Sequence, residues 1–524
     1  MSATTRRSRV FEPYRNESYS DFSDPANRSA YQAALQAVGA QAGRYFPLVI
    51  GGEPVQSHQR IESRNPCRPR EVVGTSGSAD SQLAGQALEA AWRAFPSWSG
   101  LTPEERARHL MKLAEVMRRR KYELAAWETL EAGKNWPEAE ADVAEAIDFC
   151  DYYARQALEL GRPLPVYPYP GEDNVSFLVP LGAGVVIPPW NFPLAILAGM
   201  TAGPVAAGNT VVVKPASNTP IIAAQFMQAV EEAGLPPGVI NYLPGPGGEV
   251  GDFLVDHPRT RFINFTGSKE VGLRIAERSA VVHTGQQWLK RAYMEMGGKD
   301  AIVVDETADL EAAAEGIVRS AFGFQGQKCS AASRAILVDQ VHDEVLERVV
   351  ELARTLEVGP AEENLPVNAV ISDTQYEAIL SEIDKGRDQA ELVLGGDQLD
   401  RDGGYYIQPT IFSGVAPEDR LAQYEIFGPV LSVIRAGDFD QGVQIFNDTE
   451  YGLTGGLYSR DRSRLDRARR DFHVGNLYLN RKITGALVGV QPFGGFKMSG
   501  SNAKAGGPDY LRLFMEMKTV AERW

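Results

Sequence analysis

Apolar positions along the chain change their period once, near residue 175. From 81 to 160 they recur every three to four residues almost without a break, the spacing of helices that bury one face. Leu101-Thr-Pro-Glu-Glu opens one such helix, with Thr102 as N-cap and Pro103 at the first helical position. Ahead of this block, 27–44 reads as a helix and Phe46-Pro-Leu-Val-Ile-Gly-Gly as a strand that runs into a turn. From about 175 the texture becomes short continuous apolar runs: Val185-Val-Ile, Val211-Val-Val, Ile240-Asn-Tyr-Leu, Phe262-Ile-Asn-Phe and Ala301-Ile-Val-Val. Helical stretches at 220–234 and 269–280 lie between several of them. A second set follows in Ala335-Ile-Leu-Val, Glu391-Leu-Val-Leu and Val430-Leu-Ser-Val-Ile. This alternation predicts an α/β protein with two units in sequence, each a parallel sheet covered by helices.

Residues 174–213 carry no charge, and by length alone that run has the reach of a membrane span. Pro180, Pro188, Pro189, Pro193 and Pro204 interrupt it, with Gly182, Gly184, Gly199, Gly203 and Gly208 between them. Such spacing breaks a continuous helix and predicts buried strands and tight turns beside a ligand. The 524 residues are 44% hydrophobic and 23% charged, the balance of an ordinary globular protein and not of a disordered or fibrous one. A net charge of −15 argues against a broad basic surface for nucleic acid or anionic lipid. Three cysteines exclude a disulfide framework and fit a reducing compartment. The leader holds three arginines but no apolar core, and Glu12, Glu17 and Asp21 follow quickly, which favours a cytoplasmic location.

Phe324-Gln-Gly-Gln-Lys-Cys329-Ser-Ala is the most distinctive local segment. A helix from Asp309 to about Phe324 runs into a glycine-containing turn, which sets the Cys329 thiol beside a rigid scaffold. Lys328 next to it is expected to favour the thiolate, while a buried structural cysteine is the competing reading. Cys67, in a Pro/Arg-rich loop, and Cys150, in an amphipathic helix, read as structural. The six histidines show no metal-ligand spacing, and no metal is expected. Gly245-Pro-Gly-Gly-Glu-Val-Gly251 is one residue longer than the dinucleotide fingerprint and by itself reads as a strand-to-helix turn.

Six motifs in order change the picture: Pro188-Pro-Trp-Asn191-Phe-Pro, Val213-Lys214-Pro-Ala-Ser, Phe265-Thr-Gly-Ser268, Glu295-Met-Gly-Gly-Lys299, Gly326-Gln-Lys-Cys329 and Glu425-Ile-Phe427-Gly-Pro. Together they resemble the aldehyde dehydrogenase superfamily over nearly the whole chain. The resemblance implies a Rossmann-like NAD-binding domain without the usual glycine fingerprint and an α/β catalytic domain, with a small oligomerisation hairpin and a C-terminal tail. In this chain the parts fall at 1–162 (N-terminal part of the NAD-binding domain), 163–178 (hairpin), 179–295 (Rossmann-like domain), 296–490 (catalytic domain) and 491–524 (tail).

It also implies Cys329 as nucleophile, Glu295 as general base, and the Asn191 amide with the Cys329 backbone N–H as oxyanion donors. One such donor is worth ~3–4 kcal/mol in the transition state. Lys214 and Glu425 would hold the two riboses, Phe427 would pack near the nicotinamide, and Gly267 and Ser268 would approach the pyrophosphate. The implied cofactor cleft further takes in Ile187, Pro188, Pro189, Trp190, Ala216, Ser217, Gly247, Phe265 and Gly297. Ser217 stands where many NAD-specific relatives carry glutamate, so NAD is expected first, with NADP tolerated.

The segments 475–500 and 504–511, Gln327-Lys-Cys329-Ser330-Ala and the leader Phe11-Glu-Pro are similar to the glutamate-γ-semialdehyde (1-pyrroline-5-carboxylate) dehydrogenases. By that resemblance Gly485 and Ala486 offer N–H groups to the substrate carboxylate, Ser330 adds a hydroxyl, and Phe192 and Phe493 sandwich the aliphatic stem. An acidic residue from 138–150 is expected near the α-amino group, with Glu145 in the best register and a solvated helix face as the alternative. Val490 and Met296 depart from the usual residues. The implied reaction is oxidation of glutamate γ-semialdehyde to glutamate, the second step of proline breakdown, by a homodimer or higher homo-oligomer. Its partner would be a separate proline dehydrogenase, since the motifs leave no room for that domain. Another semialdehyde dehydrogenase, such as one for succinate semialdehyde, and a silent dinucleotide-binding protein are the alternatives. The Thr484-Gly-Ala loop argues against the first, the intact Asn191, Glu295 and Cys329 against the second.

Overall fold

The computed structural model describes residues 13–524. The leader residues 1–12, with Phe11 and Glu12 of the Phe-Glu-Pro match, lie outside the described residues. Two seven-stranded sheets organise the chain. In the first, Arg291–Glu295, Phe262–Thr266, Ala183–Ile187, Thr210–Val213 and Ile240–Tyr242 lie side by side and parallel. Leu48–Ile50 and Glu53–Val55 extend it antiparallel at one edge. The second has the order Glu391–Leu394, Thr410–Ser413, Val430–Ala436, Ala332–Val338, Asp300–Val304, Thr454–Tyr458 and Asn476–Leu479, parallel except at its first strand. Helices cover both faces, which is why the central strands are apolar without alternation.

The helical block at 81–160 is four helices: Ser81–Ser99, Pro103–Arg119, Lys121–Ala132 and Trp136–Leu160. Thr102 caps the second through a reciprocal capping box with Glu105. Two expectations at the N-terminal end need correction. The first helix is Pro25–Gly39, and the apolar run at 46 divides at Pro47, which has no N–H to continue a ladder. Tyr45–Phe46 pairs with Arg68–Ser78 in a small separate sheet, whereas Leu48–Ile50 joins the large one.

The uncharged run 174–213 contains three buried or half-buried strand segments, as read, but also a helix, Ala195–Ala206, where strands and turns alone were expected. Its glycines survive in a helix because large rings press on them. A Cβ at Gly199 would stand 2.7 Å from the Phe149 ring, and one at Gly203 would stand 2.6 Å from Tyr510. No helix among the described residues is long and apolar enough to cross a membrane.

Of the segment 163–178 expected as a hairpin, the second half lies in a long strand, Glu172–Pro180, to which Leu164 returns through an antiparallel bridge at Ser176 and which pairs antiparallel with Met515–Arg523. Of the expected tail, Met515–Arg523 alone joins this two-stranded ribbon. The earlier part of the expected tail, 491–514, folds back over the seam between the two sheets, where Met296 N–H donates to the Ser499 carbonyl and Phe493 bridges Ala505.

Candidate active site

Strands of the first sheet deliver their C-terminal ends to one edge of the molecule, the place where open α/β sheets bind ligands. Ile187, Lys214, Gly267 and Glu295 all lie at or just beyond such ends. The first three open onto a cleft of about 720 Å³ lined also by Pro188, Pro189, Trp190, Asn191, Ala216, Phe265, Ser268, Gly297, Glu425 and Phe427. Ser268 caps the helix Lys269–Ala280, whose first N–H groups point into the same space. Lys214 is buried, and burial pulls its ammonium down to about 8; its Nζ donates to the Pro215 carbonyl at 3.3 Å. Glu425 accepts from the Gly298 N–H at 2.9 Å, and burial pushes its carboxyl up to about 7. A Cβ at Gly297 would lie 1.9 Å from Glu425, so glycine alone lets that carboxylate take its place. Phe427 adopts a left-handed backbone (φ 58°) and sets its ring edge-on to Trp190 at 5.5 Å. Ser217 and Gly247 stand apart from the lining and are exposed. The 245–251 turn winds into a wide helical turn before Asp252–Asp256, and a Cβ at Gly251 would stand 3.7 Å from the Lys214 side chain.

A second cavity, of about 120 Å³ and mainly apolar, lies on the far side of Cys329. Glu145, Phe192, Ser330, Gly485, Ala486 and Phe493, six residues drawn from five separated segments, all line it. Its floor adds Phe149, Gly199, Asn264 and Tyr510, and Asn264 Nδ2 donates to the Tyr510 hydroxyl at 2.9 Å. Cys329 lines both spaces and so stands where the two meet, while Glu295 lines the small cavity.

The turn before the nucleophile is held in an uncommon shape. Phe324 (φ 49°), Gln325 (φ 56°) and Gly326 (φ 66°) are left-handed in succession. Gln325 donates to the carbonyls of Gly133 and Ala369 at 3.3 and 3.0 Å, and Gln327 accepts from Ile371 N–H at 3.0 Å. Asn191 Nδ2 donates to the Gln327 carbonyl at 3.0 Å, which fixes the amide beside the thiol and leaves its second N–H available.

The expectation for Lys328 fails. Its ammonium pairs with Glu138 at 2.7 Å, and the Cys329 thiol is pushed well up from its ordinary range by burial, then by the charges of Glu295, Asp300 and Glu425. A Ser330 N–H directed at the sulfur opposes this only in part. Burial also drives the Glu295 carboxyl up to about 8, against the pull of the Lys504 ammonium and the Gly495 N–H. The Glu145 carboxyl reaches about 8 by burial and by the neighbouring Asp142, with Lys134 opposing.

Cys67 and Cys150 are buried in apolar surroundings, as read, and burial raises the first to about 11 and the second further.

Sequence reasoning missed Lys134. It sits fully buried over the Phe192 and Phe324 rings, 4.4 and 4.9 Å from their centroids, and pairs with Glu128 and Asp142. A lysine in the loop between two helices gives no signal of burial. Lys504, whose Nζ is held by the carbonyls of Gly475 and Gly494 at 2.6 and 2.8 Å, was legible only as part of a tail motif.

This geometry, a half-buried thiol and a buried carboxyl between a dinucleotide-sized cleft and a small apolar cavity, defines a cysteine-dependent dehydrogenase of the NAD-binding α/β class. The profile of the aldehyde dehydrogenase family matches residues 54–520, and the chain belongs to that family. It is 56% identical over 514 residues to a 1-pyrroline-5-carboxylate dehydrogenase of Geobacillus kaustophilus, covering 98% of this chain and all of that one. The crystal structure of a 1-pyrroline-5-carboxylate dehydrogenase from Thermus with bound NAD superposes with a TM-score of 0.98 at 59% identity, over 98% of this chain and all of the other. A proline utilization A structure from Bdellovibrio bacteriovorus has a TM-score of 0.96 at 46% identity, and this chain spans 53% of it.

Proposed function

We propose that the protein oxidises L-glutamate γ-semialdehyde, in equilibrium with 1-pyrroline-5-carboxylate, to L-glutamate with NAD as hydride acceptor. The observation that carries the reading is the convergence of Glu145, Phe192, Ser330, Gly485, Ala486 and Phe493 on one cavity that ends at Cys329. An apolar stem fits between aromatic walls, while Glu145 and the loop N–H groups suit an ammonium and a carboxylate.

The cleft fits the cofactor by its own chemistry. It offers a buried ammonium (Lys214), a carboxylate (Glu425) for hydroxyls, a helix N-terminus at Ser268, and an aromatic face at Phe427. When bound, NAD supplies the acceptor for the hydride that leaves the substrate carbon. Cys329 gives its proton to water and attacks the aldehyde carbon as thiolate to give a thiohemiacetal; Asn191 and the Cys329 N–H hold the oxyanion. Once the hydride has gone, a thioester joins Cys329 to the acyl group. Glu295 then takes a proton from water, and the resulting hydroxide hydrolyses the thioester to glutamate and free thiol. A carboxyl at about 8 is matched to this exchange, protonated for part of the cycle and basic for the rest.

The ribbon of Glu172–Pro180 with Met515–Arg523 and the 163–178 segment serve as subunit contacts of a homo-oligomer, located in the cytoplasm. A separate proline-oxidising enzyme supplies the substrate. The test is NADH formation, followed by absorbance, from 1-pyrroline-5-carboxylate with succinate semialdehyde in parallel. The reading expects the former at a much higher kcat/KM, and Cys329→Ala without measurable turnover. A preference for succinate semialdehyde, or activity that survives Cys329→Ala, overturns it.

A further inference from the structure

We infer that the extended segment 14–20 is a positioning strap that holds the helix carrying Glu145 and the loop carrying Gly485 and Ala486 in place relative to each other, with Tyr14, Asn16 and Asp148 as its fastening points; the inference rests on the substrate reading above. The α-amino and carboxylate groups of the substrate share one carbon, so the groups that bind them must converge on one point. They come from different parts of the fold. Glu145 rides on the helix Trp136–Leu160, which packs on the first sheet, whereas Gly485 and Ala486 belong to the loop that follows Asn476–Leu479 of the second.

The strap touches both carriers. Asn16 Nδ2 donates to Asp148, one helical turn beyond Glu145, at 2.8 Å and to the Val488 carbonyl, two residues beyond Ala486, at 3.0 Å. Tyr14 Oη donates to that same carbonyl at 3.1 Å, and its ring stands edge-on to Tyr152 of the helix at 5.3 Å. Further along, Glu17 N–H donates to Asp148 at 2.7 Å and Ser20 N–H to Glu140 at 2.9 Å, while Glu17 pairs with Arg118 at 2.7 Å.

Besides the strap, the loop is tied by Ile483 N–H to the Ser320 hydroxyl at 3.1 Å and by Leu487 N–H to the Gln491 side chain at 2.9 Å, and neither tie falls on Gly485 or Ala486. Arg481 reaches the Thr484 carbonyl at 3.3 Å, and Gly489 N–H reaches Gly506 at 2.9 Å. Glycines at 485 and 489 (φ 75° and 76°) leave its backbone free to shift unless held. No strap residue lines the cavity or the cofactor cleft. Loosening the strap is therefore a loss of substrate binding and not of chemistry, because Cys329, Glu295 and Asn191 stand on elements it does not touch.

The double variant Tyr14→Phe/Asn16→Ala removes both donors to the Val488 carbonyl at half-buried positions on the surface. Expected are a KM for 1-pyrroline-5-carboxylate and a calorimetric Kd for L-glutamate about tenfold higher, the scale of one or two lost hydrogen bonds. The kcat and the KM for NAD stay within about twofold. Asp148→Asn, which turns an amide toward the Asn16 amide, moves the same two constants in the same direction. Unchanged KM and glutamate affinity in both variants, or a fall in kcat and NAD affinity alongside them, overturns the inference. A wild-type protein that neither oxidises 1-pyrroline-5-carboxylate nor binds L-glutamate overturns the substrate reading instead, and the inference with it.

Discussion

Cys329 has to become a thiolate, yet burial and three nearby carboxyl groups hold its thiol in the neutral form. Glu295 is one of those groups, and its charge is itself suppressed at neutral pH because its carboxyl is pushed to about 8. Glu295 therefore restrains the thiol only where the pH is high enough to ionise its carboxyl. Removing the carboxylate with Glu295→Gln is expected to raise the iodoacetamide reaction rate of Cys329 a few-fold at pH 9, where Glu295 is ionised, and to change it little at pH 6. The same carboxyl governs the hydrolytic step. Below about 8 it is mostly protonated and cannot take a proton from water, so thioester hydrolysis in rapid-quench experiments quickens as pH rises through that value and levels off above it. In Glu295→Gln that rise disappears and the acyl-enzyme accumulates to a mass-spectrometric signal. Gly297 acts by what it lacks. Gly297→Ala brings a methyl group against Glu425, and the KM for NAD should rise about tenfold or more, with NADH fluorescence titration reporting the matching loss of affinity.

At the scale of elements, the helix Ala195–Ala206 forms one wall of the substrate cavity and owes its closeness to glycine. Gly199→Ala drives a methyl into the Phe149 ring, which itself lines the cavity. Overpacking of this kind costs about 1–3 kcal/mol, offset by up to about 1 kcal/mol of better helix propensity. Urea denaturation should show a net loss, together with a higher KM for the semialdehyde as the ring shifts inward. This helix is one element that sequence patterning misjudged. Proline and glycine count as breakers in water, but here Pro204 lies in the last turn and the glycines are contact points for rings from Trp136–Leu160 and from the tail. Elements with strong local signals behaved as their residues dictate. Pro220–Ala233 and Lys269–Ala280 begin and end within a residue of the patterned limits, and Thr102 caps as expected.

For the whole molecule, the site is a product of two sheets facing one seam. The cofactor cleft belongs mainly to the strand ends of the first sheet, the nucleophile and the 485–490 loop to the second unit, and the segment 491–514 closes the seam. The outlying ribbon stands apart from this arrangement, and most of Met515–Arg523 is exposed. Deleting 518–524 should therefore leave the thermal transition of the core nearly unchanged while lowering the assembly mass measured by light scattering; an unchanged mass would place the subunit contacts elsewhere. Sequence by itself determined the layered α/β class, most element limits, the nucleophile segment and, through ordered motifs, a set of site residues of which all but Ser217 and Gly247 line the two spaces. Those features follow from local periodicity, from caps and breakers, and from side-chain types that the chemistry requires. Only the tertiary structure decided that Lys328 is spent on Glu138, that Lys134 is buried against two aromatic rings, and that Ser217 and Gly247 stand outside the cleft. It also decided that a strap from the N-terminal end reaches the loop at Val488. Each depends on contacts between residues far apart in the chain, where neither spacing nor residue type records which partner burial will bring close.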